Sequence, residues 1–442
     1  MAKLTQIHHP DFSLWQSAID QVVAQHANAE NQAPIQRPDP AHSMVAGAAT
    51  AADNLTQGVS LAHEAASSAQ PAAKAALSAP DAAKYCASIA FQIAKARVEG
   101  NTQAEQAWKA QLGAFTSCDA RYSEAVEQYV AFYQVKKGKA PYRVWQKLDD
   151  FVIDGALAAN ARIAIVGDWG TGQDDAKALL GAIARKNPDI VIHLGDIYYS
   201  GTEFEMENYF LNIWSSVLDL DTTRTFTLSG NHDMYSGGAP YYQLIDKLGQ
   251  PASYFCLRND DWQFVALDTG LHDVDALDAQ PTFLEDTEVQ WLNDKIANAG
   301  GRRTVLLSHH QLFTAFESIG NASVNDKLQA QVGPVLPNVT VWLWGHEHNQ
   351  VIYKPYQGVL ARCIGHGAYP VGITEIAASP AHSEVPLESV TLSKGESFYS
   401  HGYVVMELNG PTAQVSYYQD SDPEDQPMFM ETYGAAAATG NP

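Results

Sequence analysis

The sequence predicts an α/β fold preceded by an all-α region, and three observations indicate this. From Arg162 onward, short apolar runs alternate with segments of helical periodicity and with turn signals, which is typical of a sheet flanked by helices. Five of the apolar runs end in a polar Asp, Asn or His. Before that point the chain is alanine-rich with helical spacing. We therefore divide the 442 residues into an N-terminal helical region, residues 1–155, and an α/β domain, residues 156–442.

The N-terminal region contains several predicted helices. They cover residues 11–27, opened by Asp11 as N-cap, residues 80–98 and residues 103–136. Residues 41–79 are alanine-rich and predict a helix pair or a loosely packed hairpin. An aromatic stripe within 103–136 is typical of the seam of a helical bundle rather than of a ligand surface. A role in capping an active site, in oligomerisation or in binding a partner stays open.

The second domain is expected to begin after a short helix over residues 144–151. Helices are predicted over 174–186 and 288–299, with strands over 263–268 and 303–308 flanking the latter. Three further segments alternate as β-strands and are expected to complete a second sheet: residues 359–364, 402–408 and 413–418.

The formal net charge of −23 is uneven along the chain. Residues 1–150 hold 13 basic and 14 acidic residues, which leaves 14 and 36 for the remainder. Such an acidic surface repels phosphate backbones, so we expect no nucleic-acid partner.

No apolar run approaches the roughly 18 residues of a membrane span. The four cysteines show no CxxC pair, which predicts free thiols in a reducing, cytoplasmic compartment. One alternative is a disulfide bond between Cys86 and Cys118. Another is a secreted or periplasmic location, if a leader peptide has been removed.

The strand ends supply donors of borderline hardness, which suit iron, zinc or manganese. They are Asp168, Asp196, Tyr199, Asn231, His309, His346 and His348. Because the carboxyl ends of strands in an α/β sheet form its ligand-binding edge, we expect these side chains at one end of a sheet. Seven donors exceed the needs of one ion, and Asp196 is the natural bridging carboxylate. The pattern predicts a two-metal site about 3.5–4 Å across.

The chain resembles the calcineurin-like metallophosphoesterases, and among them most closely the purple acid phosphatases. Their five blocks, GDxG, GDxxY, GNH[DE], VxxH and GHxH, occur here in order, with Leu306 replacing the valine. The chain reads GDWG from Gly167, GDIYY from Gly195, GNHD from Gly230, LLSH from Leu306 and GHEH from Gly345. The resemblance covers about residues 160–420 and implies a two-sheet αββα sandwich.

The resemblance also implies how the ligands divide. Asp168, Tyr199 and His348 would hold the first ion, Asn231, His309 and His346 the second, and Asp196 both.

Relatives outside the purple subgroup carry a histidine where this chain has Gly170, and Tyr199 can fill that vacancy. Since a phenol has a pKa of about 10, a phenolate ligand at neutral pH needs a strongly Lewis-acidic ion. We expect Fe(III) at the Tyr199 position and iron, zinc or manganese at the other; alternatively, Tyr199 only packs beside the site and water completes the ion. Tyr198 is expected to face the opposite side, in the core.

Three further residues are expected to act in catalysis. His232 adjoins a ligand and so points away from the ions, where it would bind a phosphoryl oxygen or protonate the leaving alkoxide, oriented by Asp233. His310 would contact the substrate or support a ligand. The resemblance implies hydrolysis of small phosphate esters, with monoesters as the expected class. Alternatives are a phosphodiesterase and a non-catalytic metal-binding interaction protein; the oligomeric state is not predicted.

Overall fold

The computed structural model of the chain describes residues 9–32, 79–113, 121–136, 138–272, 281–374, 376, 379–388, 390, 392–421 and 426–434. The chain forms two compact units. One comprises Met1–Lys139 with Tyr235–Gly237, and the other comprises Ala140–Met234 with Gly238–Pro442. Within the described residues, no helix combines the length and the apolar character needed to span a bilayer.

The first unit is helical in its described part. Its helices are α1 (Pro10–Gln32), α2 (Ala79–Val98), α3 (Thr102–Gly113) and α4 (Arg121–Lys136). Trp15 of α1, Phe91 of α2 and Tyr129 of α4 are buried in one cluster, with ring centroids 5.9–6.0 Å apart. The bundle interpretation of the aromatic stripe is confirmed for the members whose side chains are described: Trp108, Val126, Tyr129 and Phe132.

Residues 41–78 of the alanine-rich segment lie outside the described residues. Cys256 and Cys363 are free, but Cys86 is disulfide-bonded, so the expectation of a thiol is wrong there. Cys118 lies outside the described residues.

The second unit contains two sheets. The seven-stranded sheet has the order β1-β5-β6-β7-β8-β10-β9 and the six-stranded sheet the order β13-β12-β11-β2-β3-β4. The strands are β1 Val152–Asp154, β2 Arg162–Val166, β3 Ile190–His193, β4 Arg224–Thr227, β5 Phe255–Arg258, β6 Trp262–Ala266, β7 Arg303–Ser308, β8 Val339–Trp344, β9 Gln350–Ile352, β10 Ala361–Ile364, β11 Gly402–Asn409, β12 Thr412–Gln419 and β13 Phe429–Tyr433. Strands β2, β3 and β4 are parallel, as are β6, β7, β8 and β10, so each group ends its strands on one side.

The two sheets pack face to face, and helices cover both outer faces. Ile165 and Ile192 of one sheet share a buried cluster with Phe264 and Val305 of the other, which places the central core between the sheets. Helices α5 (Asp174–Arg185), α6 (Glu203–Glu205), α7 (Asn212–Val217), α8 (Asn231–Met234) and α9 (Ala239–Lys247) belong to the six-stranded side, with a π-helical turn Met206–Leu211 joining α6 to α7. Helices α10 (Asp286–Ala297) and α11 (Asp326–Val332) pack on the other sheet, and a 3₁₀ turn Gly333–Asn338 follows α11. The predicted αββα sandwich is confirmed.

Three details of the sequence prediction are wrong. The five motif strands belong to two sheets instead of one, because β7 and β8 pair with β6 and not with β4. Strand β10 joins the sheet of β8, although it was expected in the second sheet with β11 and β12. The helix predicted over 144–151 is a turn, in which Asp150 Oδ2 accepts the backbone N–H groups of Gln146 and Lys147 at 2.8 and 2.9 Å. Side chains of this type compete with helical hydrogen bonding in this way.

The packing between the sheets predicts a stability difference between two strand substitutions. Phe264→Ala removes a fully buried ring from the central cluster and should lower the free energy of unfolding by about 3–5 kcal/mol. Met430→Ala on β13, where the side chain is 50% exposed, should change it by less than about 0.5 kcal/mol. Urea unfolding followed by circular dichroism measures both, and equal losses would show that Phe264 is not in the core.

Candidate metal centre

The polar residues that follow the motif strands converge although their strands belong to different sheets. Asp168, Asp196 and His348 bring one ligand atom each to within 4.8 Å of one another, and His309, His310 and His346 do the same. Asp168 and Asp196 follow β2 and β3 of the six-stranded sheet. His309 and His310 follow β7 of the other sheet, and His346 and His348 follow β8. The two groups therefore meet at one end of the sandwich, where both sheets end their parallel strands.

Asn231 lies against two of these histidines, His309 and His346, and these three residues are the second group of proposed ligands. Asn231 Oδ1 lies 3.1 Å from both His309 Nε2 and His346 Nδ1, and these two nitrogens are 3.3 Å apart. His309 Nδ1 lies 3.0 Å from the carbonyl oxygen of Leu194, which can only accept, so Nδ1 carries the proton in the neutral ring. The lone pair of Nε2 then faces the amide oxygen of Asn231. Histidine ligands of metals are oriented in this way by a carbonyl behind the ring.

The other group contains Asp168, His348 and Asp196. Asp168 Oδ1 lies 3.4 Å from His348 Nε2. Asp168 Oδ2 accepts the backbone N–H of His346 at 2.9 Å, so one oxygen is fixed and the other is presented to the site. The same division holds for Asp196, because its Oδ1 accepts the backbone N–H of His232 at 3.0 Å.

Asp196 connects the two groups. It belongs to the Asp168 group, and its Oδ2 lies 3.4 Å from His309 Nε2 of the other group. A Cβ atom on Gly230 would overlap Asp196 Oδ1, and a Cβ on Gly345 would lie 2.5 Å from Asp168 Oδ2. Glycine is therefore needed at both positions, because a side chain there would collide with one of the two carboxylates. The position of Asp196 fits a carboxylate that serves both groups.

Backbone strain is concentrated at the same residues. Asp168, Asp196 and His346 have φ angles of 56°, 72° and 65°, in the left-handed region that side chains other than glycine seldom adopt. Such strained residues cluster at functional sites, where the surrounding structure enforces them. Asp233 supplies part of that enforcement. Its carboxylate accepts the N–H groups of Asp196 at 2.9 Å, Ile197 at 3.0 Å and Gly230 at 2.7 Å.

Asp233 therefore has a different place from the one predicted. It was expected to orient His232, but its carboxylate binds the backbone of two loops instead. The orienting group of His232 is the carbonyl oxygen of Tyr199, which lies 2.5 Å from Nδ1. Because a carbonyl only accepts, the neutral His232 ring carries its proton on Nδ1 and its lone pair on Nε2.

His310 lies beside the ligand candidates. Its ring centroid is 4.8 Å from that of His309 and 4.3 Å from that of His346. The hydroxyl of Thr269 holds it from behind, at 3.0 Å from the backbone nitrogen and 3.1 Å from Nδ1. The structure thus brings His310 into the centre beside His309 and His346.

Tyr198 is arranged differently from the prediction, and its neighbour Tyr199 contacts the centre through backbone groups. Tyr198 was expected in the core, yet its hydroxyl lies 2.8 Å from His348 Nε2 and 3.2 Å from Asp168 Oδ1. The alternation of side chains holds only for an extended strand, and residues 198–200 form a turn after β3. The Tyr199 backbone N–H donates to Glu205 Oε1 at 2.5 Å, and its carbonyl oxygen lies 2.5 Å from His232 Nδ1. The ligand role of the Tyr199 phenol stays a prediction.

The electrostatics of the centre favour a cation. Burial alone would raise the pKa of Asp196, but the imidazoles of His309 and His232 hold it well below its usual range. Burial lowers the pKa of His309, yet the Asp196 carboxylate outweighs burial and raises this pKa to about 9. Burial, followed by the charge of Asp196, raises the pKa of Asp233 to about 7, and burial lowers the pKa of His232. Carboxylate, amide and imidazole donors of this kind fit ions of the iron, zinc or manganese type.

Sequence reasoning missed three supporting residues. Glu205 accepts the N–H groups of Tyr199, Ser200 and Thr202, and it forms a capping box with Thr202 at the start of α6. The Thr-x-x-Glu spacing is a recognisable sequence signal for such a box. The other two are Thr269 and Tyr369. The Tyr369 ring stacks on His348 with ring centroids 4.3 Å apart. Neither residue lies in a sequence motif that would have predicted its role.

Comparisons with known proteins agree with the motifs. Residues 161–350 match the family model described as calcineurin-like phosphoesterase, and this span contains all seven predicted ligands. No match was found among curated proteins. Similar solved structures include a dimetal phosphatase from Danio rerio (12% identity, 62% of this chain and 99% of that chain, TM-score 0.43), a hypothetical protein from Thermus thermophilus (13%, 59% and 100%, 0.35) and Chaetomium thermophilum Vps29 (11%, 62% and 98%, 0.28). Residues 161–350 are thus similar to the calcineurin-like phosphoesterase family.

Proposed function

We propose that the chain hydrolyses phosphate esters with the help of two metal ions held by the candidate centre. One observation carries the proposal: two groups of donor atoms converge on the carboxylate of Asp196, which is 3.4 Å from His309 Nε2 and within the Asp168 group. Asp168, Tyr199 and His348 would hold one ion, Asn231, His309 and His346 the other, and Asp196 both. Bound ions would supply Lewis-acid stabilisation of the attacking and leaving oxygens in phosphoryl transfer.

The protein's own residues would position the substrate and move a proton. The Tyr199 carbonyl fixes the His232 ring, so that Nε2 can donate a proton to the leaving alkoxide when the ring is charged. Burial disfavours the imidazolium, which makes it a stronger acid, while the negative charge of a bound phosphate favours its formation. The Asp233 and Glu205 carboxylates hold the loops of Asp196 and Tyr199 in place by accepting backbone N–H groups.

Monoesters are the proposed substrate class. This choice rests on the resemblance of the five motifs to those of the purple acid phosphatases, and the same centre suits a diester chemically. A panel of aryl and alkyl phosphates, tested beside bis-aryl diesters, separates the two classes. Hydrolysis of diesters alone would replace monoesters as the substrate class without removing the metal-dependent mechanism.

The disulfide at Cys86 bears on where the protein works. Disulfides persist mainly in oxidising compartments such as the periplasm and the cell exterior. We therefore propose the secreted or periplasmic alternative over the cytoplasmic one. Labelling of free thiols in protein isolated under non-reducing conditions tests this, because a fully reduced chain would support the cytoplasm.

The direct test of the function is turnover of a chromogenic phosphate ester by metal-loaded protein, with and without a chelator. We expect wild type to turn over and to lose activity on chelation. Asp196→Asn should abolish turnover and lower metal content to at most one ion per chain, because a bridging carboxylate serves both ions. Asp260→Asn, at an exposed acidic residue, is the matched control and should keep both. An Asp196→Asn variant with two tightly bound ions and a near-normal rate would show that Asp196 is not the bridge.

His232→Ala should keep both ions while kcat falls by about 10²–10⁴-fold, the range of positioned acid–base groups. The loss should shrink for substrates whose leaving alcohol is already acidic, because these leave without a proton. Rates for p-nitrophenyl and alkyl phosphates measure this difference. Equal losses on both substrates would indicate phosphate binding rather than proton donation, and an unchanged kcat would exclude His232 from the mechanism.

Gly230→Ala should deplete metal, because the new methyl group would overlap Asp196 Oδ1 and displace the carboxylate. The control is Gly181→Ala within α5, where the added Cβ meets only Arg185 Nη1 at 3.7 Å. Alanine is favoured over glycine in a helix by about 0.5–1 kcal/mol, so this variant should be at least as stable and keep two ions. Metal analysis of both folded variants is the measurement. Two ions in Gly230→Ala would contradict the close approach of Asp196.

A further inference from the structure

A buried acidic residue, Asp268, follows strand β6, although β6 is not one of the five motif strands. Its side chain is 1% exposed, and its Oδ1 accepts a hydrogen bond from the hydroxyl of Ser229. Ser229 is fully buried as well and stands two residues before Asn231, a proposed ligand of the second group. A side-chain hydrogen bond therefore joins Asp268 to the segment that presents a metal ligand.

The loop after β6, residues 268–270, lies directly against that segment. Asp268 Oδ1 also accepts the backbone N–H of Leu271 at 3.1 Å, which closes the loop. A Cβ atom on Gly270 would lie only 2.6 Å from the carbonyl oxygen of Gly230. Since a residue without a Cβ is needed for so close an approach, the backbones of the two segments are in contact.

The same loop contacts a second ligand-bearing segment through Thr269. The backbone N–H of His310 donates to Thr269 Oγ1 at 3.0 Å, and His310 Nδ1 lies 3.1 Å from the same oxygen. His310 adjoins His309, another proposed ligand of the second group. The loop after β6 thus touches the segments after β4 and β7, which supply two of the three ligands of that group.

The loop is itself held from behind. The backbone N–H of Asp268 donates to Glu288 Oε1 of α10 at 2.8 Å, and the Tyr142 hydroxyl donates to Glu288 Oε2 at 3.0 Å. The Thr282 hydroxyl donates to the carbonyl oxygen of Thr269 at 2.5 Å. Because Glu288 is fully buried and both of its oxygens are engaged, the loop has a fixed base from which Asp268 can direct Ser229.

We propose that Asp268 is a positioning residue for the second metal ion, because by holding Ser229 it fixes the place of the Asn231 side chain. This inference rests on the proposed function, since it presupposes the metal centre. Replacing a residue that orients a metal ligand typically weakens metal binding by about 10–100-fold. The contacts of Asp268 and Thr269 lead to the second group, so the loss should fall on the second ion and spare the ion at Asp168 and His348.

The test titrates the metal-free full chain with Mn²⁺ and follows the binding by electron paramagnetic resonance, which separates free ion, a single bound ion and a spin-coupled pair. Asp268→Ala deletes the acceptor and Ser229→Ala deletes the donor. We expect each to raise the Kd of the second Mn²⁺ by about 10–100-fold and to leave the Kd of the first unchanged. The double variant should lose no more than the weaker-binding single variant, because both substitutions break the same hydrogen bond. Ser416→Ala, at a buried serine on β12, is the matched control and should keep both Kd values.

Several outcomes would overturn the assignment. A merely structural role would lower the free energy of unfolding of the folded variants and leave both Kd values at those of wild type. Equal weakening of both ions would indicate a general disturbance of the centre, and multiplied losses in the double variant would show that Asp268 and Ser229 act separately.

Asp268→Asn replaces Asp268→Ala if the latter fails to fold. Its amide oxygen can still accept the Ser229 hydroxyl, so the Kd of the second Mn²⁺ should lie between the values of wild type and Ser229→Ala. A Kd above that of Ser229→Ala would contradict the proposal, because the carboxylate would then act by a route other than Ser229.

Failure of this inference can be told apart from failure of the proposed function. Wild type that binds the Mn²⁺ pair and hydrolyses p-nitrophenyl phosphate, with variants that bind the pair equally well, removes only the positioning role of Asp268. Wild type whose second ion is weakened in both variants, but which turns over no phosphate ester, removes only the hydrolase.

Discussion

The arrangement of the second unit depends on one buried carboxylate, that of Asp196, being held between two groups of lone-pair donors. Its backbone adopts φ 72°, a conformation with a positive energetic cost for any residue with a side chain. The cost is offset by the Asp233 carboxylate, which binds the Asp196 and Gly230 N–H groups at 2.9 and 2.7 Å. Gly230 leaves the space that the Asp196 carboxylate occupies. The loops after β3 and β4 are thus shaped around this one side chain.

The buried acidic residues of the centre fall into two classes by what their oxygens face. Asp233 and Glu205 each accept three backbone N–H groups, so their oxygens bind the backbone and their task is to hold loops. Asp168 and Asp196 use one oxygen in this way, and the other faces imidazole nitrogens. A buried carboxylate directed at the proposed metal-binding nitrogens fits a cation between them, and this contrast separates the proposed ligand carboxylates from structural ones without reference to any relative.

The sequence predicted the strand ends well and the loops beyond them less well, for a physical reason. Asp168, Asp196, Asn231, His309, His346 and His348 follow apolar strands whose periodicity is strong, so their convergence could be expected once the strands were placed. Tyr198 lies in a turn, where strand alternation no longer says which way a side chain points. The tasks of Asp233 and Glu205 depend on backbone N–H groups that come together only in the folded loops. The division of five strands between two sheets depends on pairing between distant segments, which local patterns do not encode.

The central claim is that Asp196 is shared by two ions at the meeting point of the two sheets. The most direct measurement is anomalous diffraction from crystals of the metal-loaded full chain, collected on both sides of the absorption edges of iron, zinc and manganese. We predict two anomalous peaks about 3.5–4 Å apart, with the Asp196 carboxylate between them, His309 and His346 on one peak and Asp168 and His348 on the other. A single peak, or two peaks that do not share Asp196, would contradict this account.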